Sequence, residues 1–357
     1  MSSEDGYKVS PADYFDAEFF AKELSNILEK YWVFICPEKT IANHNDYFVF
    51  SAFDREIVFM RTQADSVVAF NNVCKHRGHK LYSDTYGNSE IRCPYHGWLY
   101  GDDLNLKKIP WNNKCFHLHE DKVSLDAFPH TMVKDGVVWG YFGSKPIADV
   151  EYPAEKVSQN LLDFSVASVS PSAVTVNKRK FNWKLIFENL YDRVHPIFLH
   201  ANSLNKTTKI NFDDHGADFS FDGVTDYVRA NIDKIGEPLV KQGADAPTSG
   251  AYINGHVFPF LHFLTPNGGG LFCYESYVPV AHNEVIVYTF WLSSSSMPLA
   301  ARHNMIVEYV KGASKVLDED WVAVESVTAV VNKPEYYTYG AHEKNYYGLK
   351  KLGELNE

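Results

Sequence analysis

Two cysteines and two histidines form two short mixed pairs in the first third of the sequence. One residue separates Cys74 from His76, two separate Cys93 from His96, and sixteen lie between the pairs. Thiolates and imidazoles both bind metals, and this set suits a two-iron cluster in which thiolates hold one iron and imidazoles hold the other. The pairs therefore predict a centre that transfers single electrons.

A structural zinc site is the alternative interpretation of the same four residues. Zinc fingers usually pair cysteine with cysteine and histidine with histidine. Here each pair is mixed, and Gly78, Pro94 and Gly97-Trp98 flank the pairs, as expected of tight turns that cover a cluster. We therefore favour the iron–sulfur cluster, and we expect the nearby His79 to be a loop or surface residue.

A second group of possible ligands lies in NWKLIFENLYDRVHPIFLH, residues 182–200, which contains Asp192, His195 and His200. In one continuous helix the two histidines would be about 500° apart in rotation and would not share a face. A helix that ends or bends near Pro196 would let the rings converge. Two imidazoles and one carboxylate can hold a mononuclear iron with positions open for O2 and substrate. The spacing alone is weak support, since a pair of histidines is more often structural.

Carboxylates for such a site occur later, in the stretch VLDEDWVAVESV. It contains Asp318, Glu319, Asp320 and Glu325. A solvated acidic cluster at a helix N-terminus is the alternative, because carboxylates there favour the helix dipole. The residues alone leave the choice among the four carboxylates open.

The two motifs together resemble those of the Rieske non-haem iron oxygenases, the alpha subunits of the ring-hydroxylating and choline- or carnitine-type monooxygenase superfamily. The first region matches CxHRG and CPYHGW, and residues 182–200 match N-W-K, then E/D-N, Asp and two histidines. The resemblance implies that a Rieske [2Fe–2S] cluster is bound by the four residues of the mixed pairs, Cys74, His76, Cys93 and His96.

The resemblance also implies that His195 and His200 bind a mononuclear iron(II). In the family the second Asp of a short acidic pair is the third ligand, which implies Asp320, with Asp318 as its main competitor. Asp192 would link this iron to a cluster histidine of a neighbouring subunit, most simply in a homotrimer. It would accept a hydrogen bond from the unligated nitrogen of an imidazole.

A terminal oxygenase is the function that the resemblance implies. It would take electrons through the cluster and activate O2 at the iron to hydroxylate, or oxidatively demethylate, a small organic substrate. The sequence has no GxGxxG fingerprint and no additional four-cysteine cluster, so a flavin/iron–sulfur reductase or a ferredoxin would supply electrons from NAD(P)H. A pure electron-transfer protein with a non-catalytic second domain is the alternative, but none of the three expected iron ligands is missing.

The elements that must position these motifs predict an α+β fold. Apolar periodicity indicates helices at 14–33, 182–193 and 298–331, and short β-rich segments at 47–72 and 131–143. Further strands are predicted at 173–181, 218–232, 251–264, 270–280 and 284–295. We expect an N-terminal helical segment, residues 1–40, packing on the catalytic domain, an all-β Rieske domain at 41–150, and a helix-grip-like antiparallel-sheet catalytic domain at 151–357.

Composition narrows the partners. The net charge of −11 disfavours nucleic acid but could help to dock a basic electron carrier. No run of 18 apolar residues exists, and the N-terminus lacks the features of a signal peptide, which predicts no membrane span. Outside the cluster, Cys36, Cys115 and Cys273 suggest no disulfide framework, so we expect buried thiols and a cytoplasmic protein.

The substrate is not readable from the sequence. The stretch HVFPFLHFL, residues 256–264, predicts one strand whose alternate residues, from His256 to Leu264, form an apolar wall of a pocket or of the core. Hydroxylation of a ring and oxidation of a carbon next to nitrogen or oxygen both stay open.

Overall fold

The computed structural model describes residues 7–153, 155–192, 194–201, 203, 209–213, 216–220, 253–265, 270–295 and 297–340. Its α-helices are α1 (Ala12–Phe15), α2 (Ala17–Lys30), α3 (Glu155–Ala167), α4 (Trp183–Tyr191), α5 (His195–Phe198) and α6 (Leu299–Ala329). Its strands are β1 (Tyr7–Val9), β2 (Val33–Pro37), β3 (Asp46–Ala52), β4 (Arg55–Arg61), β5 (Val67–Asn71), β6 (Tyr86–Asn88), β7 (Leu99–Tyr100), β8 (Leu106–Lys108), β9 (Thr131–Lys134), β10 (Val137–Gly140), β11 (Ser168–Arg179), β12 (Lys209–Asp213), β13 (Gly216–Ser220), β14 (Ile253–Val257), β15 (Leu261–Thr265), β16 (Leu271–Ala281), β17 (Glu284–Ser294) and β18 (Tyr337–Tyr339). Single 3-10 turns lie at Glu38–Ile41, Glu120–Lys122 and Ile147–Asp149, and a π turn lies at Asn112–Phe116.

The first half of the described chain is built from small antiparallel sheets, ordered β5-β4-β3-β6, β2-β10-β9 and β7-β8. A two-residue loop joins β3 to β4, and both its residues, Phe53 and Asp54, have positive φ, as a type I′ hairpin turn requires. Side chains of β3 alternate between two cores. Tyr47 packs in the core that contains both cluster cysteines, whereas Phe48 packs in the large core that it shares with the catalytic domain. This sheet therefore joins the cluster-binding loops to the rest of the molecule.

The second half is built on a five-stranded antiparallel sheet ordered β11-β17-β16-β15-β14. Helix α6 packs on one face, where Cys273 and Trp291 share an apolar cluster with Ile306 and Val310 of the helix. Helix α4 contacts both α6 and β16. The sheet and these two helices confirm the predicted α+β class.

The N-terminal helices pack against α4. Lys184 of α4 and Glu23 of α2 form a buried ion pair at 2.8 Å, and the Tyr14 hydroxyl donates to Glu188 Oε1 at 2.7 Å. The predicted helix 14–33 is wrong at its boundaries. Asp16 separates α1 from α2 and caps α2 by accepting from the Phe19 N–H at 2.7 Å, and the chain is extended again from Val33.

The remaining sequence predictions have different outcomes. The single strand predicted at 256–264 is wrong, because β14 ends at Val257 and a Phe258-Pro259-Phe260 turn leads into β15. His256 and His262 are instead direct partners across that hairpin. Cys115 is exposed rather than buried. Most of the strand predicted at 218–232 lies outside the described residues, and the three domain boundaries stay predictions. Among the described helices, none combines the length and apolarity needed to cross a bilayer.

Candidate metal centres

The two mixed pairs lie on two loops with matching backbone geometry. The Gly78 N–H donates to Cys74 O at 3.0 Å, and the Gly97 N–H donates to Cys93 O at 2.9 Å. Both glycines are left-handed, with φ of 71° and 70°, a conformation that other residues adopt at a cost. The repeated turn presents one cysteine from each loop to the same buried region.

The side chains of the pairs converge. Cys74 and Cys93 are each 1% exposed and share one core, and the Nδ1 atoms of His76 and His96 lie 3.1 Å apart. Two ring nitrogens at that separation can bind one metal ion, while the buried thiols can hold a second. The arrangement therefore fits a [2Fe–2S] cluster with mixed ligands. His79 is exposed, and its Nδ1 lies 2.6 Å from the Lys80 carbonyl oxygen.

Neighbouring groups cover this site on the inner side. The His76 ring stacks on the Trp98 indole, with centroids 4.8 Å apart and planes 9° apart. The Tyr100 hydroxyl lies 3.4 Å from Cys74 Sγ and accepts a hydrogen bond from the Lys75 N–H at 3.2 Å. Since the Lys75 bond leaves the hydroxyl hydrogen available, Tyr100 can donate to the sulfur, an interaction that helps to set the potential of such clusters.

The second group of candidates depends on a break between two helices. Helix α4 ends at Tyr191, Asp192 is extended with φ −71° and ψ 119°, and α5 begins at His195. The prediction of a break near Pro196 is therefore wrong by a few residues. The proline lies in the first turn of α5, where its missing N–H leaves no helical hydrogen bond unmade.

This break brings His195 and His200 to the same carboxylate. Asp320 Oδ1 lies 3.3 Å from His195 Nε2 and 3.0 Å from His200 Nε2. The ligand atoms of the three residues all lie within 4.8 Å of one another. Asn189 Nδ2 donates to the same carboxylate oxygen at 2.7 Å. Two imidazoles and one carboxylate in this arrangement fit a mononuclear iron site.

The ionisation state of Asp320 suits a metal ligand. Burial alone would raise its pKa, but the hydrogen bonds and charges of His195 and His200 outweigh burial and lower the pKa to about 2. Burial lowers the pKa of His200, but bonding to Asp320 and Glu319 raises it overall. Asp320 is therefore an ionised, acceptor-only group, the form in which a carboxylate binds a cation.

The other three carboxylates of this stretch point elsewhere. Asp318, whose side chain is 59% exposed, pairs with Arg179 at 2.9 Å. Glu325 accepts a hydrogen bond from the Lys180 N–H at 3.2 Å. Glu319 Oε2 lies 2.8 Å from His200 Nδ1 and accepts from the Ser203 hydroxyl. The contacts of Glu319 and Asn189 are absent from the sequence predictions. The E-N signature of the motif includes Asn189, and Glu319 is one of the four candidate carboxylates, but no sequence prediction assigns either residue to contact an iron ligand.

Asp192 lies next to the metal group without offering it a ligand atom. Its Oδ1 accepts from the Val194 N–H at 2.7 Å, and its Oδ2 is 3.9 Å from His195 Nδ1. The backbone carbonyl oxygen of Asp192 lies 2.9 Å from the same Nδ1 and can accept its hydrogen. The side chain is 25% exposed, so a donor from outside the chain can reach it.

Comparisons with known proteins agree with this geometry. Residues 31–129 match the model of the Rieske [2Fe-2S] domain, and residues 154–351 match that of the ring hydroxylating alpha subunit (catalytic domain). The chain is 26% identical to the large oxygenase component of the 2,4-dinitrotoluene dioxygenase system of Burkholderia sp. (strain RASC), over 84% of this chain and 73% of that protein. It is 25% identical to the chloroplastic choline monooxygenase of Atriplex hortensis, over 90% of this chain and 67% of that protein.

Coverage differs among the relatives. The match to the naphthalene 1,2-dioxygenase large oxygenase component of Pseudomonas putida is 30% identical but spans 48% of that protein. Among solved structures, the quaternary ammonium Rieske monooxygenase whose structure addresses carnitine oxidation and inter-subunit electron transfer superposes with a TM-score of 0.69. That superposition has 18% identity and covers 99% of this chain and 96% of the other, so it shows a shared fold. The chain therefore belongs to the ring hydroxylating alpha subunit family, whose oxygenases combine a Rieske [2Fe–2S] cluster with a mononuclear iron.

Proposed function

We propose that the protein is the terminal oxygenase of a multicomponent system and acts on a small organic substrate. The observation that carries the proposal is the presence, in one chain, of the paired Cys/His loops and of the His195, His200 and Asp320 group in geometries that fit their metals. When bound, the cluster supplies single electrons and the iron supplies a site for O2 activation.

The residues of the chain divide the work of holding these groups. Cys74, Cys93, His76 and His96 would hold the cluster. With iron bound, His200 would donate its Nδ1–H to Glu319 and offer the lone pair of its Nε2, the atom nearest Asp320, to the metal. His195 is oriented in the same sense by the carbonyl oxygen of Asp192. Both partners favour the tautomer that would bind metal through Nε2.

A homotrimer is the assembly that we propose, with the cluster of one subunit facing the iron group of the next. Exposed aromatic residues at both sites support it. Tyr95, 56% exposed, packs on the His96 ring with centroids 3.8 Å apart, and Trp111 is 72% exposed. Phe198, in the short helix that begins at His195, is 77% exposed. These residues would pack together at the subunit interface, where Asp192 would contact a cluster histidine of the neighbouring subunit.

Electrons would come from a flavin/iron–sulfur reductase or a ferredoxin, since the large oxygenase components among the relatives belong to multicomponent systems. The names of two relatives indicate two substrate classes: 2,4-dinitrotoluene, a nitroaromatic compound, and choline, a quaternary ammonium compound. Ring hydroxylation and oxidation beside a nitrogen are the corresponding reactions. We place the protein in the cytoplasm, a location that rests on cysteine usage alone.

Metal analysis with spectroscopy tests the proposal. We expect two cluster irons and one mononuclear iron per chain, and a reduced-cluster EPR signal that Cys93→Ser abolishes. The serine oxygen is a poor replacement for a thiolate on iron. Cys36→Ser, at a buried thiol outside both sites, is the control and should keep the signal. Zinc in the Cys/His site would refute the proposal, and a cluster without mononuclear iron would favour the electron-transfer alternative.

Glu319→Gln should weaken binding of the mononuclear iron by roughly 10- to 100-fold, because partners that orient a metal-bound imidazole typically contribute that much. The amide oxygen can still accept from His200 Nδ1, but the negative charge that makes the imidazole a better donor is lost. Equilibrium dialysis of iron(II) at the second site measures the effect. Glu325→Gln on the same helix is the matched control. Equal iron affinity in both variants would contradict the role of Glu319.

A further inference from the structure

A carboxylate is buried in the catalytic sheet with half of its hydrogen-bonding capacity unused. Glu275 on β16 is 0% exposed, and its Oε2 accepts from His262 Nδ1 at 2.8 Å and from the Tyr277 hydroxyl at 3.1 Å. Within the described residues, its Oε1 has no hydrogen-bond partner, and no lysine or arginine pairs with it. A buried carboxyl oxygen without a partner is costly, so its retention calls for a group that completes it.

A second unpartnered polar group lies beside it. Thr289 on β17 is the direct cross-strand partner of Glu275, so both side chains project from the same face of the sheet. In the described part of the chain, the Thr289 hydroxyl also has no hydrogen-bond partner. Cys273, two residues before Glu275, packs against α6 from this face. The two groups therefore face the layer between the sheet and the helix that carries Asp320.

Aromatic residues connect this position to the iron group. Tyr277 lies next to Glu275 on the same face, and its ring meets Phe187 of α4 edge-on, with centroids 5.7 Å apart. Burial raises the pKa of Tyr277 well above its ordinary value, and the charges of Glu275 and Asp320 raise it further. The hydroxyl thus stays a donor to Glu275. The ring of Phe187 also stacks on His256 at 3.9 Å.

We infer that Glu275 and Thr289, with the Tyr277 ring, form a recognition site for a small alkylammonium group of the substrate, in the layer between the sheet and the helix that carries Asp320. The inference rests on the proposed function and selects, from its two substrate classes, the cationic one. An acceptor-only carboxylate oxygen requires a cation or a hydrogen donor, and aromatic ring faces attract alkylammonium groups. A neutral aromatic substrate would leave Glu275 Oε1 and the Thr289 hydroxyl without partners.

Calorimetric titration of the anaerobic, fully metallated holoprotein tests this site. The probes are protonated dimethylaminoethanol, choline, and 3,3-dimethylbutan-1-ol, a neutral compound with the shape of choline. We expect both cations to bind at least about 10-fold more tightly than the neutral compound, because hydrogen bonds and contacts that involve charged groups are the strong ones. Glu275→Gln should remove that preference, weakening cation binding by roughly 10- to 100-fold.

Thermal unfolding separates recognition from a structural role. In Glu275→Gln the introduced amide oxygen can still accept from His262 and Tyr277, so the variant loses only a buried, half-satisfied charge. We therefore expect an unchanged or higher Tm together with lost cation binding. Thr289→Val should weaken binding of protonated dimethylaminoethanol, whose N–H can donate to the hydroxyl, without changing the binding of choline, which has no N–H, or of the neutral probe. Glu284→Gln, at a carboxylate on β17 that pairs with Lys178 at 2.6 Å near the surface, is the control and should bind like the parent.

Two outcomes would overturn the inference. One is binding of the neutral compound as tightly as, or more tightly than, the cations. The other is a preference for cations, or an absence of cation binding, that is the same in the parent and in Glu275→Gln. Neither outcome touches the proposed function, which stands or falls on the cluster signal and the iron content of the same preparations.

Discussion

Replacing Asp320 with Ala should empty the mononuclear iron site and abolish turnover while leaving the cluster EPR signal unchanged. The carboxylate is the point at which both histidines converge, with its Oδ1 at 3.3 and 3.0 Å from their Nε2 atoms. Two neutral imidazoles without the carboxylate offer iron(II) neither the charge nor the third ligand that such a site needs. Iron quantification after chelation, with spin counting of the reduced cluster, separates the two metal sites.

The matched control is Asp318→Ala. It makes the same chemical change two positions earlier on α6, at a carboxylate that is mostly exposed and paired with Arg179. The control should keep its iron and its turnover, and lose at most about 1 kcal/mol of stability with the ion pair. Iron retained in Asp320→Ala and lost in Asp318→Ala would move the ligand to the other residue.

Much of the fold was predictable because local signals agree with tertiary ones. Strands β3 and β4 alternate between two buried faces, and Phe53-Asp54 between them adopts a tight turn. The predicted helices at 182–193 and 298–331 correspond to α4 and α6, whose apolar periodicity is extensive. Apolar patterning determines where such elements occur, and packing shifts their ends by a few residues.

The errors occur where a single residue overrides a pattern. The segment 256–264 alternates like a strand, but Pro259 has no N–H for a central ladder, and the chain turns there. Asp16 divides a helical pattern because its side chain bonds the backbone of the next helix start. In the same way the break between α4 and α5 comes at Asp192, where a polar side chain bonds the Val194 N–H, rather than at the proline.

The site was predictable in its residue types but not in its contacts. Successive residues of α6 differ by about 100° in direction, so Asp318, Glu319 and Asp320 face three ways. Which of the three carboxylates contacts the histidines depends on how α6 packs against the sheet and against α4. That packing involves side chains far away in the sequence. The contact between Glu319 and His200 also depends on the orientation of an imidazole ring, which no spacing encodes.

Asp192→Asn is expected to keep both metals and yet slow turnover by roughly 10- to 100-fold, the usual effect of losing a partner that orients a metal ligand. We propose that the Asp192 carboxylate, which lies beside His195, links this iron ligand to the cluster of the neighbouring subunit. It would accept a hydrogen bond from the unligated nitrogen of a cluster imidazole. The side chain is 25% exposed and lies beside His195, as this role requires. An amide has the same shape, but it has no charge and can present a donor where an acceptor is needed.

A local structural role is the competing explanation for Asp192, because its Oδ1 accepts from the Val194 N–H at 2.7 Å in the turn between α4 and α5. The asparagine oxygen can make the same bond, so Asp192→Asn should unfold at nearly the parent temperature. Asp192→Ala loses this turn bond as well, at a cost of about 1 kcal/mol. Asp16→Asn, at a capping aspartate whose carboxylate accepts from the Phe19 N–H at 2.7 Å, is the matched control and should keep full activity.

A single-turnover experiment with pre-reduced enzyme distinguishes the two roles. After addition of O2 and substrate, the absorbance of the cluster reports its oxidation, which in the parent should keep pace with product formation. In Asp192→Asn we expect that oxidation to slow by the same factor as turnover, while iron content and the EPR spectrum of the reduced cluster stay unchanged. A turn bond acts only on stability and predicts parental kinetics. Cluster oxidation as fast in the asparagine variant as in the parent and in Asp16→Asn would therefore exclude a linking role for Asp192.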